Sequence, residues 1–281
     1  MGTSNWIRLA KDRFFFAAII FFASLTILPL LFILFYILKN GLTVINWGFL
    51  TSLPKPAGEP GGGISNAIVG TALLVLTASA FSIPLGVLIG IYLSENQDSL
   101  TARAVRISNR ILQGVPSIVA GIVAYLWIVK PSGAFSVFSG GAALGFLMIP
   151  IIVQSTEETL KLVPNTLKEA SLALGASYTS TILKVIVPTG LSGIVTGILL
   201  GVSRVIGETA PLLFTAFGNP FMSYRLFKPA NALPLLIFNY ALSPYHSWQN
   251  LAWGASVFLI FLVMSLNLIS KFLVAKWKVQ S

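Results

Sequence analysis

Two stretches of this chain decide its fold: residues 164–177 read PNTLKEASLALGAS, and residues 202–217 read VSRVIGETAPLLFTAF. In the first stretch, Thr166 and Glu169 have the spacing of a capping box, which predicts a helix that begins at Leu167. Gly175 is a typical stop for this helix, which would therefore have about two turns. Because so short a helix is marginal on its own in water, we expect a partner protein to pack against it.

The second stretch is apolar but carries a pair of charges. Arg204 and Glu208 are the only ionisable residues in 185–217, and their spacing of four places them on one face of a helix. Charged side chains in a membrane span usually face the interior of a helix bundle, because hydrocarbon solvates them poorly. Two interpretations stay open: a salt bridge that ties helices together, or a pathway in which Arg204 attracts an anion and Glu208 weakens its field.

The composition is that of an integral membrane protein. The 281 residues are 56% hydrophobic and 9% charged, with a mean hydropathy of +0.87, which excludes an ordinary soluble domain. A formal charge of +10 would suggest nucleic acid in a soluble protein, but here we expect membrane lipid and no nucleic acid as a partner. The absence of cysteine excludes disulfides and thiolate metal sites, and we expect no metal site in this chain.

Apolar runs predict an all-α, polytopic membrane protein with six transmembrane helices. The predicted spans are 14–38, 66–93, 111–129, 140–154 with its flanks, 191–217 and 251–269. We predict a polar connection at 95–110 and a long polar loop at 156–184. The apolar segment 224–245 is interrupted by Pro229, Pro234 and Pro244, so we expect it to dip into the membrane interface or to pack on the outer face.

The basic residues give the expected orientation. Of the 18 lysines and arginines, twelve lie in the two tails and in the loops after spans two and four, and five lie on the opposite side. The positive-inside rule therefore places both termini and the short helix in the cytoplasm. The expected organisation is a cytoplasmic tail, first span and extracytoplasmic loop at 1–63, a permease domain at 64–271, and a cytoplasmic tail at 272–281.

The short helix belongs to a recognisable motif. Glu169, Ala170 and Ser171, followed by Gly175 and Val187-Pro188, resemble the cytoplasmic EAA loop of ABC importer permeases. The chain departs from that pattern with Ser171 for the last alanine, Val185 for isoleucine and Val187 for leucine. The resemblance implies a type I, MetI-like permease fold in a cell (inner) membrane, with the coupling loop at 156–188.

Four further stretches are similar to permeases of phosphate ABC importers. They are IYLSEN at 91–96, QGVPSIVAGI at 113–122, the second stretch quoted above, and LPLLIFNYALSPY at 233–245. The similar pieces are spread over 64–271. The resemblance implies a subunit that forms half of the translocation pathway and works with a second homologous permease, a dimer of ATPase subunits and an extracytoplasmic phosphate-binding protein.

The resemblance also assigns residues. It implies that the short helix seats in a groove on the ATPase, and that ATP-driven closure pulls this helix and tilts the spans attached to it. The ATPase-coupling residues would be Leu167, Glu169, Ala170, Ser171, Leu174 and Gly175. The translocation pathway would use Arg204, Gly207, Glu208 and Thr209, and Pro188 and Pro211 would break helices where they bend. ATP and Mg would be bound by the ATPase, and this chain would bind no cofactor and catalyse no reaction.

Three alternatives stay open. The nearest is a permease for another oxyanion, such as molybdate or sulfate. An intramembrane enzyme would require serines, His246 and carboxylates to converge. A passive channel would transport its solute without an ATPase.

Overall fold

The computed structural model describes residues 3–59 and 61–278, and this part of the chain is mainly helical. The helices are α1 Thr3–Gly41, α2 Trp47–Thr51, α3 Ser65–Glu95, α4 Leu100–Gly114, α5 Ser117–Ser132, α6 Val137–Lys161, α7 Asn165–Ala173, α8 Tyr178–Thr189, α9 Leu191–Ile206, α10 Ala210–Leu213, α11 Leu233–Ala241 and α12 His246–Lys278. The predicted tail at 272–281 begins inside α12, and its residues 279–281 lie outside the described residues.

Four continuous helices and two bent pairs are long and apolar enough to cross a membrane. Within the described residues, the continuous candidates are Lys11–Gly41, Ser65–Glu95, Val137–Lys161 and His246–Phe272. Helices α4 and α5 form one bent pair, with 102° between them, and α8 and α9 form the other, with 68° between them. The predicted all-α membrane fold is therefore confirmed, with six crossings when each bent pair counts as one. The division of the chain into 1–63, 64–271 and 272–281 stays a prediction.

The third predicted span, 111–129, is wrong as a single helix. The polar connection expected at 95–110 is largely helix α4, which ends at Gly114, and α5 begins at Ser117. The break falls at Pro116, because proline lacks an N–H and forces Val115 into extended backbone with φ −70° and ψ 126°. Helix α4 was missed because its arginines interrupt the apolar run, although they lie at helical spacing.

The fifth predicted span, 191–217, is also interrupted. Helix α9 ends at Ile206, where the Gly207 N–H bonds to the Arg204 carbonyl at 3.3 Å in a tightened last turn. The short helix α10 follows after a gap, with Pro211 in its first turn, where a proline is tolerated. The span therefore contains a stretch of non-helical backbone beside its two charges.

The middle of the segment 224–245, residues 230–236, is buried in the core, whereas 224–228 and 241–242 are exposed, so the expectation of a peripheral position is wrong for the middle of the segment. Ala230, Ala232 and Leu233 are buried, and the carbonyl of Lys228 accepts a hydrogen bond from the N–H of Val137 at 3.0 Å. A Cβ atom at Gly70 of α3 would overlap the Asn231 carbonyl oxygen, so glycine permits this close approach. Irregular backbone is tolerated in a membrane protein where other protein segments surround it, and the buried residues 230–236 are surrounded in this way.

Small residues bring α9 close to α6. A Cβ atom at Gly197 would overlap the Ser155 side chain, and one at Gly193 would overlap the Thr159 side chain. With Gly201, which faces Met148, these glycines repeat every four residues along one face of α9. Such spacing lets membrane helices approach closely and gain dispersion contacts. The packing fixes the face of α9 that lies against α6, and Arg204, three residues beyond Gly201, is exposed near the end of the helix.

Candidate translocation and coupling sites

The two charges of the predicted pathway are close together at the end of α9. The distance from Arg204 Nε to Glu208 Oε1 is 3.7 Å, which is too long for a hydrogen bond but leaves a direct charge interaction. The prediction that both residues lie on one helix face is wrong, because α9 ends at Ile206 and Glu208 is in the gap before α10. The end of α9 at Ile206 therefore determines the position of Glu208 relative to Arg204.

The two side chains differ in exposure. The Arg204 side chain is 43% exposed and that of Glu208 is 19% exposed, whereas Val205 and Ile206 are buried in the core. A guanidinium in a membrane span is stable only beside water, a charge or a second protein. Arg204 therefore lies on a surface that needs a polar neighbour besides Glu208.

The other two residues assigned to the pathway occupy the gap. Gly207 is exposed, and a Cβ atom there would lie 3.8 Å from its nearest neighbour, so close packing does not explain this glycine. The carbonyl of Thr209 accepts the N–H of Leu212 at 3.1 Å, which starts α10. Whether these residues take part in translocation stays a prediction.

The two prolines assigned to helix breaks lie next to bends. Pro188 is near the end of α8, and the 68° bend to α9 falls at Gly190. A π turn, Ile182–Ile186, precedes Pro188 and accommodates its missing N–H. Pro211 packs on α5, where a Cβ atom at Gly121 would lie 2.6 Å from the Pro211 Cα. Movement at these prolines stays a prediction.

The predicted coupling helix is present as α7, with a different start. It begins at Asn165, two residues before Leu167, with Pro164 at the N-cap and no side-chain cap, so the predicted capping box is wrong. Pro164 fits this position because its ring fixes φ, here −61°. The predicted stop is confirmed: Gly175 has φ +85°, and the N–H of Ala176 bonds to the Ser171 carbonyl at 3.2 Å in a Schellman motif.

The surface of α7 is open. No residue of α7 is buried, and Leu174, which follows it, is 89% exposed. Leu167, Glu169 and Ala170 are exposed as well. Exposed leucines on a short helix outside the candidate spans are typical of a surface that a partner covers. The contact with an ATPase stays a prediction.

A cluster of side chains that the sequence did not identify ties α7 to α3. The Glu95 carboxylate, at the end of α3, accepts hydrogen bonds from the Lys168 ammonium of α7 and from the Tyr178 hydroxyl. Partial burial alone would lower the pKa of Lys168, but the hydrogen bond and charge of Glu95 outweigh burial and raise that pKa above its usual value. Lys168 is therefore charged at neutral pH. Glu95 and Lys168 are 73 residues apart, so no local pattern could have paired them.

A second charged cluster joins α4 to α6. Glu157 accepts Arg106 Nε and Lys161 Nζ, each at 2.6 Å. Arg106 also donates to the carbonyls of Leu93 and Gln97, at 2.7 and 2.8 Å, and so closes the turn between α3 and α4. A polar cleft of about 290 Å³ lies beside this cluster. Of the contacts in this cluster, only the Glu157–Lys161 pair could be expected from the sequence, because these two residues are four apart.

The fold is that of ABC-transporter permeases. The chain is similar to a chain of an inward-facing MetNI methionine ABC transporter, with a TM-score of 0.59, 20% identity, and 76% of this chain and 94% of that one covered. An amino acid ABC transporter with histidines gives a TM-score of 0.53 at 15% identity over 76% of this chain and 92% of the other. Residues 82–277 match the model of the family described as binding-protein-dependent transport system inner membrane component. The chain belongs to this family.

Particular relatives carry a more specific name. The chain is 41% identical over 250 residues to the phosphate transport system permease protein PstA of Yersinia pestis, which covers 89% of this chain and 85% of that protein. It is 36% identical over 267 residues to the probable phosphate transport system permease protein PstA of Methanocaldococcus jannaschii, with 92% of both chains covered. The similarity therefore extends across bacteria and archaea and over nearly the whole chain.

Proposed function

We propose that this chain is the permease subunit of an ATP-driven phosphate importer and forms half of its translocation pathway. The observation that carries the proposal is the similarity, over about nine-tenths of the chain, to relatives named as phosphate transport system permeases. The location of Arg204 supports it, because a basic side chain at an interrupted membrane helix suits an anionic solute.

Arg204 supplies the charge that phosphate needs inside the membrane. An anion leaves water at a large cost in solvation free energy, and a fixed guanidinium that donates several hydrogen bonds compensates part of that cost. Glu208, 3.7 Å away, reduces the net positive field. Transport requires that phosphate leave the site as well as enter it. A cation whose field is weakened by a nearby carboxylate therefore suits transport better than an isolated cation.

The coupling loop transmits the work of ATP hydrolysis. Helix α7 and Leu174 dock on a cytoplasmic ATPase dimer, which holds ATP and Mg, and this chain binds no cofactor and is not an enzyme. The remaining partners are a second homologous permease and an extracytoplasmic phosphate-binding protein. The bends between α4 and α5 and between α8 and α9 let one part of the bundle tilt against the other, as alternating access requires.

Uptake of labelled phosphate tests the proposal. The chain is co-expressed with its second permease, ATPase and binding protein in cells without other phosphate uptake. We expect unlabelled phosphate, and not molybdate or sulfate, to compete with the label, and we expect uptake to stop when the ATPase is disabled. Competition by another oxyanion alone would reject phosphate as the substrate, and uptake with a disabled ATPase would favour a channel.

A further inference from the structure

Three segments of the chain meet at the end of α3. The Oε2 atom of Glu95 accepts hydrogen bonds from Lys168 of α7 and from Tyr178 of α8, and the Lys168 Nζ lies 4.9 Å from the centre of the Tyr178 ring. The side chains of Glu95 and Lys168 are only 13% and 26% exposed. A partly buried, charge-assisted pair of this kind holds its geometry better than an ion pair on an open surface.

This cluster is the direct side-chain connection from α7 to the preceding spans. Among the described residues, the side chains of α7 make hydrogen bonds to two residues outside it, from Lys168 to Glu95 and between Ser171 and Thr181, 2.9 Å apart. Thr181 belongs to α8, which directly follows the coupling loop. A force on α7 therefore reaches the helices that follow it through the backbone. It reaches α3 through the hydrogen bond between Lys168 and Glu95.

The other end of α3 is bonded to the segment that follows the two charges of the pathway. Asn66 Nδ2 donates to the Asn219 carbonyl at 2.7 Å, and Thr71 Oγ1 accepts the N–H of Leu233 at 2.9 Å. The 31 residues of α3, with Pro84 inside, form one continuous helical rod roughly 46 Å long between the two sets of bonds. A displacement at one end of such a rod moves the other end with it.

We propose that Glu95 is a positioning residue that joins the coupling helix α7 to α3, so that a displacement of α7 shifts α3 against the segment 219–233. The inference rests on the proposed function, in which an ATPase moves α7. Lys168 and Tyr178 hold Glu95 from two sides, and the bonds of Asn66 and Thr71 transmit the shift on the far side of the bundle.

The first experiment measures coupling. In the reconstituted complex, Glu95→Gln keeps ATP hydrolysis but lowers the phosphate transported per ATP by roughly tenfold, a factor typical of coupling free energies. The double variant Glu95→Lys with Lys168→Glu restores an ion pair with reversed charges. We expect it to recover at least half of the transport per ATP that Glu95→Gln loses. The single variant Lys168→Glu has no ion pair, and its transport per ATP should stay low. The matched control is Asp98→Asn, an exposed carboxylate three residues away that has no hydrogen bond among the described residues. Unchanged transport per ATP in Glu95→Gln would overturn the inference.

A second experiment is independent of the solute. Because the native chain has no cysteine, spin labels are attached only at introduced cysteines, at Leu76 of α3 and Leu268 of α12, which are both exposed. We expect ATP to change the distance between the labels in the otherwise native complex and to leave it unchanged with Glu95→Gln. Equal changes of the label-to-label distance in both complexes, or no change in either, would contradict the proposed connection of α7 to α3 through Glu95.

If Glu95→Gln prevents assembly, Tyr178→Phe is measured instead, because it removes one hydrogen bond and keeps the ion pair. We expect about a twofold fall in transport per ATP, and no fall would reject the inference. The outcomes separate the two proposals, because a native complex that transports another oxyanion rejects phosphate as the substrate but still shows the ATP-driven distance change.

Discussion

At the scale of single residues, exposure distinguishes the charged pairs of this protein. The guanidinium of Arg204 is more exposed than its partner and lies 3.7 Å from it, whereas Glu157 and Glu95 hold their cations in partly buried hydrogen bonds. A buried pair stabilises an arrangement of helices, but an exposed cation remains free to bind a passing anion. The partly buried pairs of Glu95 and Glu157 therefore support the fold, and the exposed Arg204 suits the pathway.

Arg204→Gln tests the pathway. We expect phosphate uptake to fall at least tenfold, because glutamine keeps hydrogen-bonding capacity but lacks the charge that compensates the anion. Assembly with the ATPase should survive, since Arg204 is exposed and makes no hydrogen bond with Glu208. The measurements are uptake of labelled phosphate and co-purification of the complex. Arg103→Gln, an exposed arginine on α4, is the control, and native uptake in Arg204→Gln would remove Arg204 from the mechanism.

Glu157→Gln tests the second cluster. The Glu157 side chain is 11% exposed and neutralises two cations, so its loss leaves both without their carboxylate. We expect the complex to lose about 2 kcal/mol of stability, a discounted value because Lys161 can turn to solvent. Thermal unfolding in detergent measures the effect as a lower Tm. The adjacent exposed carboxylate provides the control, and Glu158→Gln should leave the Tm nearly unchanged; equal shifts would show that burial of Glu157 is unimportant.

At the scale of elements, close helix packing depends on glycines at four-residue spacing. Gly197→Ala should lower the Tm and reduce assembly, because the new methyl group overlaps the Ser155 side chain and α9 must move away from α6. Ser155→Gly in the same chain removes the overlapping atoms and should recover part of the Tm. Gly114→Ala is the control, since a Cβ atom there has no neighbour within 4 Å. A Gly197→Ala chain with native Tm and assembly would contradict this packing.

Leu174→Asp tests the coupling surface. Because Leu174 is 89% exposed, the substitution should leave the Tm of the chain unchanged while it removes an apolar contact with the ATPase. We expect co-purification of the ATPase to fall at least tenfold. Leu100→Asp, at a similarly exposed leucine of α4 outside the coupling loop, is the comparison and should retain the ATPase. Full retention of the ATPase by the Leu174→Asp chain would show that this end of α7 does not bind it.

How much the sequence predicted depended on the range of the interactions. The spans α1, α3, α6 and α12 were predicted because a long apolar run is a local signal. Helix α4 was missed because its arginines interrupt the apolar run, and Glu157, the partner of Arg106, is 51 residues away from it. The buried position of 230–236 depends on the close approach at Gly70, and the Glu95–Lys168 pair depends on a contact between residues 73 apart. The Arg204–Glu208 pair was predicted because the two residues are close in sequence. The end of the helix between them was not predicted.

At the scale of the whole molecule, the chain is a bundle whose two ends have different chemistry. One end holds the charged clusters around Glu95 and Glu157 together with α7. The other end has an apolar cleft of about 620 Å³ between the 53–57 turn and the segment 217–221, with Trp248 in its lining. Helix α3 runs between the two ends and is bonded at both. The proposed coupling requires that the charged end be cytoplasmic.

The orientation can be tested on the chain itself, because it contains no cysteine. Single cysteines are introduced by Asp98→Cys, in the turn next to α7, and by Ala57→Cys, in the loop at the opposite end; both positions are exposed. The excess of basic residues on the side of the tails predicts that a membrane-impermeant maleimide added to intact cells labels the chain at position 57 and not at position 98. In inside-out vesicles position 98 should react and position 57 should not, both should react after the membrane is opened, and the native chain should not react at all. Labelling at position 98 from outside would place α7 on the wrong side for an ATPase, and the proposed transport mechanism would then fail together with the joint at Glu95.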